Sequence, residues 1–153
     1  MTSDSEEKDE LPIVIRPMQP GDVPLVLNSW LKSYRDCPAS WGTSNDAYFR
    51  TQKAVISKLM TRCNVAIASD PQDDDQIFGW LAWEDSKDDI VVHYIYVKSL
   101  FQRMGVARRL WEHAEPGERD VVATHVGPSS NDLRDSGIKF RYKPFRLLAS
   151  LYA

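Results

Sequence analysis

Cysteine is scarce in this chain. Cys37 and Cys63 are the only two among 153 residues. Two thiols so placed make neither a disulfide framework nor a metal-ligand spacing, so they read as reduced thiols and no metal site is expected. No apolar run approaches the length a membrane span requires, which excludes a helical membrane protein. The N-terminus is acidic rather than basic and apolar, so it is no secretory signal. Together these absences place the chain in the cytoplasm, with no membrane partner. No internal repeat and no second domain are visible.

What is present suits one domain with a real core. Apolar residues make up 42% and charged residues 27%, ordinary for a globular protein of this length. The net charge of −3 hides an uneven distribution. Residues 1–10 hold five acids and one lysine, and residues 70–89 hold eight acids against Lys87. Residues 98–153 reverse the sign, with ten Lys or Arg against six acids. Either these are solvated faces, or a cationic end serves phosphates and an acidic rim serves an amine.

Met1–Glu10 has no apolar residue after Met1 and reads as a disordered tail. The domain then runs over residues 11–153. Leu11–Arg16 reads as a first strand. Asp22 caps a helix to about Arg35, with Pro24 in its first turn and Val26, Trp30 and Tyr34 inward. Asn45 or Asp46 caps a second helix over Ala47–Arg62. Strands follow at Asn64–Ser69, Ile77–Glu84 and Ile90–Val97, with an acidic turn over Asp70–Gln76. A third helix ends before Pro116 and Gly117. Asp120–Val126 is a fifth strand, and Asn131–Ser136 a short helix capped by Ser129 or Ser130. Ile138–Tyr142 and Phe145–Tyr152 read as two last strands. The order is β-α-α-β-β-β-α-β-α-β-β: an α/β (α+β) fold, with a mixed sheet of about seven strands and about four helices.

The most informative stretch is Ile90–Ala114. A strand rich in β-branched and aromatic residues runs into Gln102-Arg103-Met104-Gly105-Val106-Ala107, then into an apolar helix. A helix start offers unpartnered N–H groups and partial positive charge to a phosphate, and Gly105 lets that phosphate approach the backbone. Arg103, Arg108 and Arg109 add cationic charge. The pattern Gln102, Gly105, Ala107 in this setting resembles the acetyl-CoA signature of the GCN5-related N-acetyltransferases. The Ile-Arg-Pro start and the order of elements resemble that family over about residues 12 to 152.

The resemblance implies acetyl-CoA as acyl donor and a primary amine of a small molecule or protein as acceptor. It places the pyrophosphate on the N–H groups of Arg103, Met104, Gly105, Val106, Ala107 and Arg108. The Ile95 N–H would polarise the thioester carbonyl, backbone near Val97 would hold the pantetheine arm, and Asn131 would contact the cofactor. Strand parity puts Val91, His93, Ile95 and Val97 on one face. His93, nine residues before Gln102, stands where some family members have a catalytic histidine, and so is the expected base. The family's leaving-group tyrosine is missing from Asn131–Ser136, which leaves Tyr142 or Tyr152 for that role. Tyr34 and Trp41 are expected acceptor contacts, while Trp30, Tyr48, Trp80 and Trp83 read as structural. Two other functions are kept open. The basic run Lys139, Arg141, Lys143 and Arg146 would suit a nucleobase or nucleic-acid-linked amine, which a pI of 5.6 disfavours. The missing tyrosine would suit a non-catalytic module that binds CoA or a protein. The last strand is a possible pairing edge for a homodimer.

Overall fold

The computed structural model describes residues 11–152. The expected tail Met1–Glu10 lies outside the described residues. β1 (Val14–Pro17) leads into α1 (Val23–Arg35), whose Val26, Trp30, Leu31 and Tyr34 are buried at helical spacing. Asp22 stands at the N-cap, but its carboxylate bonds elsewhere. It accepts two bonds from the Arg16 guanidinium, at 2.6 and 3.1 Å, and one from the Gln19 N–H at 2.8 Å. That clamp ties the strand end to the helix start. α2 (Asn45–Met60) is capped by Ser44, one residue earlier than expected, whose hydroxyl accepts from the Ala47 N–H at 3.2 Å.

β2 (Asn64–Asp70), β3 (Asp73–Asp85) and β4 (Asp89–Val97) form an antiparallel meander. The acidic stretch expected as a turn mostly extends β3, and only Pro71 and Gln72 make the bend. α3 (Val106–His113), β5 (Asp120–Ala123), α4 (Ser130–Asp135), β6 (Arg141–Tyr142) and α5 (Arg146–Tyr152) complete the order. Among the described residues the sheet has six strands in the order β1 to β6, antiparallel up to β4 and parallel from β4 to β6. The α+β class holds, with five helices and six strands rather than about four and seven.

The missing strand is α5. Phe145–Tyr152 is expected as a strand, but Leu147, Ser150 and Leu151 turn inward while Leu148 and Tyr152 are exposed. That is i, i+3, i+4 spacing in a run of good helix formers.

Two cores sandwich the sheet. One packs Leu81, Trp83, Val92, Ile95 and Val97 against Val106 and Leu110 of α3 and Leu133 of α4. The other packs Trp80, Ala82 and Tyr94 against α1, α2 and Leu151 of α5. Trp30 and Tyr48 belong to the second core, as the sequence suggests.

β4 is not regular. Ile95 pairs with Leu81 and Tyr94 with Ala82, but Val92 rather than His93 faces Trp83. One extra residue on β4 makes a β-bulge, which resets the alternation of faces. Val92 and Ile95 therefore share the α3 face, and His93 and Tyr94 both turn toward the opposite one. The expected common face of His93 and Ile95 is thus overturned.

Candidate active site

β4 and β5 pair only as far as Val92 and Ala123, with one more bond from the Thr124 N–H to the Val92 carbonyl at 3.0 Å. Beyond it the strands part. The Tyr94 ring fills the start of the gap against Gly127, where any Cβ would collide with the phenol.

At the end of β4 the chain turns through the signature loop. Arg103 and Gly105 are both left-handed, at φ 64° and 84°. Glycine adopts this freely, whereas for arginine it costs about 1–2 kcal/mol. Left-handed residues in such a loop gather N–H groups into an anion-binding concavity. α3 follows with no side-chain cap. Its first helical bond runs from the Arg109 N–H to the Gly105 carbonyl at 3.0 Å. The N–H groups of Val106, Ala107 and Arg108 are left for a ligand. A cavity of about 450 Å³ opens here, lined by Val97, Phe101 and Arg103, by Gly105 to Arg108, and by Asp135 and Ser136.

A second cavity, of about 510 Å³, lies on the other side of Val97. One wall is the polar side of α1, from Leu25 to Asp36; the other is Tyr94 to Ser99 with Gln102, Pro128 and Ser129. Val97 lines both cavities. Its N–H donates to Ser129 Oγ at 3.0 Å, and its carbonyl accepts from Gln102 Nε2 at 3.5 Å. The Tyr94 hydroxyl lies 2.7 Å from Ser33 Oγ, and burial raises its pKa, so the phenol stays protonated at neutral pH.

The expected cofactor residues divide between these cavities. Arg103, Gly105, Val106, Ala107 and Arg108 line the loop cavity, Gln102 lines the other, and Val97 lines both. Met104 is 47% exposed and lines neither. The Ile95 side chain is in the core. Asn131 is exposed and lines neither cavity, whereas Asp135 and Ser136 of the same segment line one.

The acceptor residues fall elsewhere. Tyr34 is buried on the inner face of α1, with its pKa raised chiefly by burial and further by the nearby Tyr142 hydroxyl. Trp41 is 67% exposed beyond the helix and lines neither cavity. Tyr142 lies in a separate surface hollow formed with Phe145 and Arg146, and Tyr152 is exposed. What the sequence reading missed is the second side of α1. Asn28, Lys32 and Asp36 recur every four residues and form a polar stripe beside the buried one. Tyr94 was also missed, because regular alternation gives no hint of a bulge.

His93 is fully buried and lines neither cavity. Its Nε2 lies 2.9 Å from Glu84 Oε1 and its Nδ1 2.8 Å from Thr124 Oγ1. Thr124 Oγ1 is 3.1 Å from His125 Nδ1, and His125 Nε2 is 3.0 Å from Gln52 Nε2. The donors fix one arrangement. The Gln52 amide donates to His125, His125 donates to Thr124, Thr124 donates to His93, and His93 donates to the Glu84 carboxylate. Both imidazoles are neutral in this chain. Burial lowers the pKa of His93 against the opposing pull of Glu84, and burial drives His125 down to about 3.

The family model described as Acetyltransferase (GNAT) family matches residues 27–129, from within α1 to the residue before α4. No curated protein matches the sequence. Similar folds occur among solved structures. A Pyrococcus furiosus protein carrying the name acetyl transferase is 15% identical, with a TM-score of 0.61 over 84% of this chain and 94% of its own. A histone acetyltransferase-related protein of Corynebacterium glutamicum is 14% identical, with a TM-score of 0.60 over 82% and 83%. The PaiA N-acetyltransferase of Thermoplasma acidophilum, solved in complex with coenzyme A, is 14% identical, with a TM-score of 0.51 over 69% and 70%. The family to which the matched model refers comprises acetyl-CoA-dependent acyltransferases with amine acceptors, and this chain belongs to it.

Proposed function

We propose that the protein moves the acetyl group of acetyl-CoA onto a primary amine, with the cofactor in the loop cavity and the amine in the cavity beside α1. The observation that carries this reading is the meeting of the two cavities at Val97, where β4 and β5 have parted. The loop cavity supplies unpartnered N–H groups and two arginines for a pyrophosphate. From it the pantetheine arm would run along the free edge of β4, like an added strand. The Lys98 N–H bonds to Phe78 on β3 while the Val97 N–H crosses the gap to Ser129. Ile95 shares the direction of Val97, two residues earlier, so its N–H faces the gap and is our assigned donor to the thioester carbonyl.

The attacking amine must shed a proton. His93 is sealed from the acceptor cavity, so we assign that proton to solvent in the cavity. Tyr94, with its phenol protonated, takes the role of proton donor to the leaving thiolate that was expected of Tyr142 or Tyr152. A thiolate of pKa near ~8.5 leaves without a strong acid. The nucleic-acid reading gains nothing: none of Lys139, Arg141, Lys143 and Arg146 lines either cavity, and Arg146 is bound to Asp89 at 2.6 Å.

Titrating acetyl-CoA into Gly105→Glu and Arg108→Glu tests the cofactor site. Gly105→Glu adds a carboxylate beside the pyrophosphate, and Arg108→Glu replaces a cation with one. Affinity should fall by about tenfold or more, the weight of one charge-assisted hydrogen bond or two. Circular dichroism checks that the fold survives the left-handed backbone at 105. Wild-type affinity in both variants would remove the proposal.

A further inference from the structure

The acceptor cavity carries more information than its size. Three charged side chains line it: Lys32 from α1, Asp36 just past the end of that helix, and Lys98 just past the end of β4. Among the described residues none of the three has a hydrogen-bonding or ion-pair partner. This is not true of the neighbouring charge on the same helix. Arg35 turns away and donates to the carbonyls of Ser40, at 2.7 Å, and Thr43, at 2.6 Å. Lys32 and Asp36 stand one helical turn apart, about 5–6 Å between Cβ atoms, yet do not close a bridge. The cavity thus presents uncommitted charge of both signs, with cations in excess. Its remaining polar lining includes Asn28, Gln102 and Ser99, which offer hydrogen bonds beside an apolar wall of Leu25, Val97 and Pro128.

Resting on the acetyl-transfer reading, we propose that the acceptor is a small primary amine that also bears an anionic group, carboxylate or phosphate. Asp36 draws in the ammonium form of the amine, and Lys32 and Lys98 bind the anion. The same two lysines repel an acceptor that is cationic throughout, such as a polyamine or a basic peptide. A cavity of about 510 Å³ suits a molecule the size of an amino acid or an amino-sugar phosphate.

The test measures kcat/KM by release of free CoA thiol from acetyl-CoA at pH 8. The panel is glutamate, glucosamine 6-phosphate, glucosamine, spermidine and a lysine-rich peptide. The inference expects an anionic amine to lead spermidine and the peptide by about tenfold or more, and the two anionic arms say which anion is favoured. Lys32→Glu should shrink that lead by about tenfold through KM, while Lys32→Arg should keep most of it. A lead for spermidine, the peptide or unphosphorylated glucosamine would overturn the inference and leave acetyl transfer standing. So would a lead that Lys32→Glu does not change. No thiol release with any amine would overturn both.

Discussion

The polar groups beside β4 fall into two sets. Behind the bulge, Glu84, His93, Thr124, His125 and Gln52 are linked end to end, and the middle of the chain is sealed from water. In front of it, around Val97, the side chains of Lys32, Asp36 and Lys98 have no hydrogen-bonding or ion-pair partner among the described residues, and a helix start has no side-chain cap. The buried members of the first set, His93, Thr124 and His125, have their hydrogen-bonding capacity used up inside the protein. The second has it left over, next to empty volume. Burying a polar group costs little only when it is paired, so the sealed set holds the sheet and helices in place. The open set is what a ligand can complete. A histidine on the right strand therefore counts for less than whether its nitrogens are already occupied.

The sharpest break of this contrast is His93→Ala. It removes a buried ring, leaves the Thr124 hydroxyl without its acceptor and strips Glu84 of its donor. The expected loss is about 3 kcal/mol, from cavity and orphaned polar groups together. For a domain of this size that lowers Tm by roughly 6–12 °C. Turnover per folded molecule should change by less than about tenfold. A fall of ~10²-fold or more that recovers as pH rises would put His93 back on the proton path as a general base.

Acid should attack the same set. The folded-state pKa of His93 and of His125 lies below that of the unfolded chain, near ~6.5. Each then contributes stability that is complete above that pH and is lost as pH falls below it, because only the unfolded chain takes up the proton. The loss approaches about 1.4 kcal/mol per pH unit for each ring. Asp22 and Asp89 are held low by hydrogen bonds from Arg16 and Arg146, so they add their loss only below about pH 4. Urea denaturation at pH 7.5, 6.0 and 5.0 should show declining stability, with a shallower decline in His125→Gln. Equal stability across this range would mean that both rings take up protons in the folded protein as readily as in the unfolded chain, and that the network is wrongly drawn.

How much of this was legible in the sequence follows the same division. The turn at Gly105 and the helix start after it were legible because both act locally: a glycine marks the left-handed geometry the backbone adopts there, whatever packs around it. Val26, Trp30 and Tyr34 were also legible, since a helical stripe repeats. The bulge at His93 was not. It depends on which residue of β3 faces Val92, a register that no local pattern encodes. Without it, parity put His93 beside Ile95 and left Tyr94 unnoticed. The helix Arg146–Tyr152 failed for a related reason. Seven residues with apolar side chains at 147, 148, 149, 151 and 152 satisfy either period, and the core that chose between them lies far away in the chain.

The smallest expected effect is at the boundary between the two sets. Ser129 accepts the Val97 N–H at 3.0 Å across the mouth of the gap, so one group that the pantetheine arm would use is already taken. If the arm pairs with Val97, it must displace that hydroxyl, which then has to find another partner. Ser129→Ala removes the competitor and leaves the N–H free. A neutral hydrogen bond contributes about 1 kcal/mol net, so the variant should bind acetyl-CoA about threefold to fivefold more tightly. The free protein should be less stable by a similar amount, since a buried N–H loses its acceptor. Calorimetric titration with acetyl-CoA and with a CoA fragment lacking the pantetheine arm separates the causes. A gain confined to the full cofactor places the arm on Val97. A gain shared by the fragment, or a loss for both, would mean that Ser129 serves the cofactor in place of competing with it, and the arm would have to be routed along another edge.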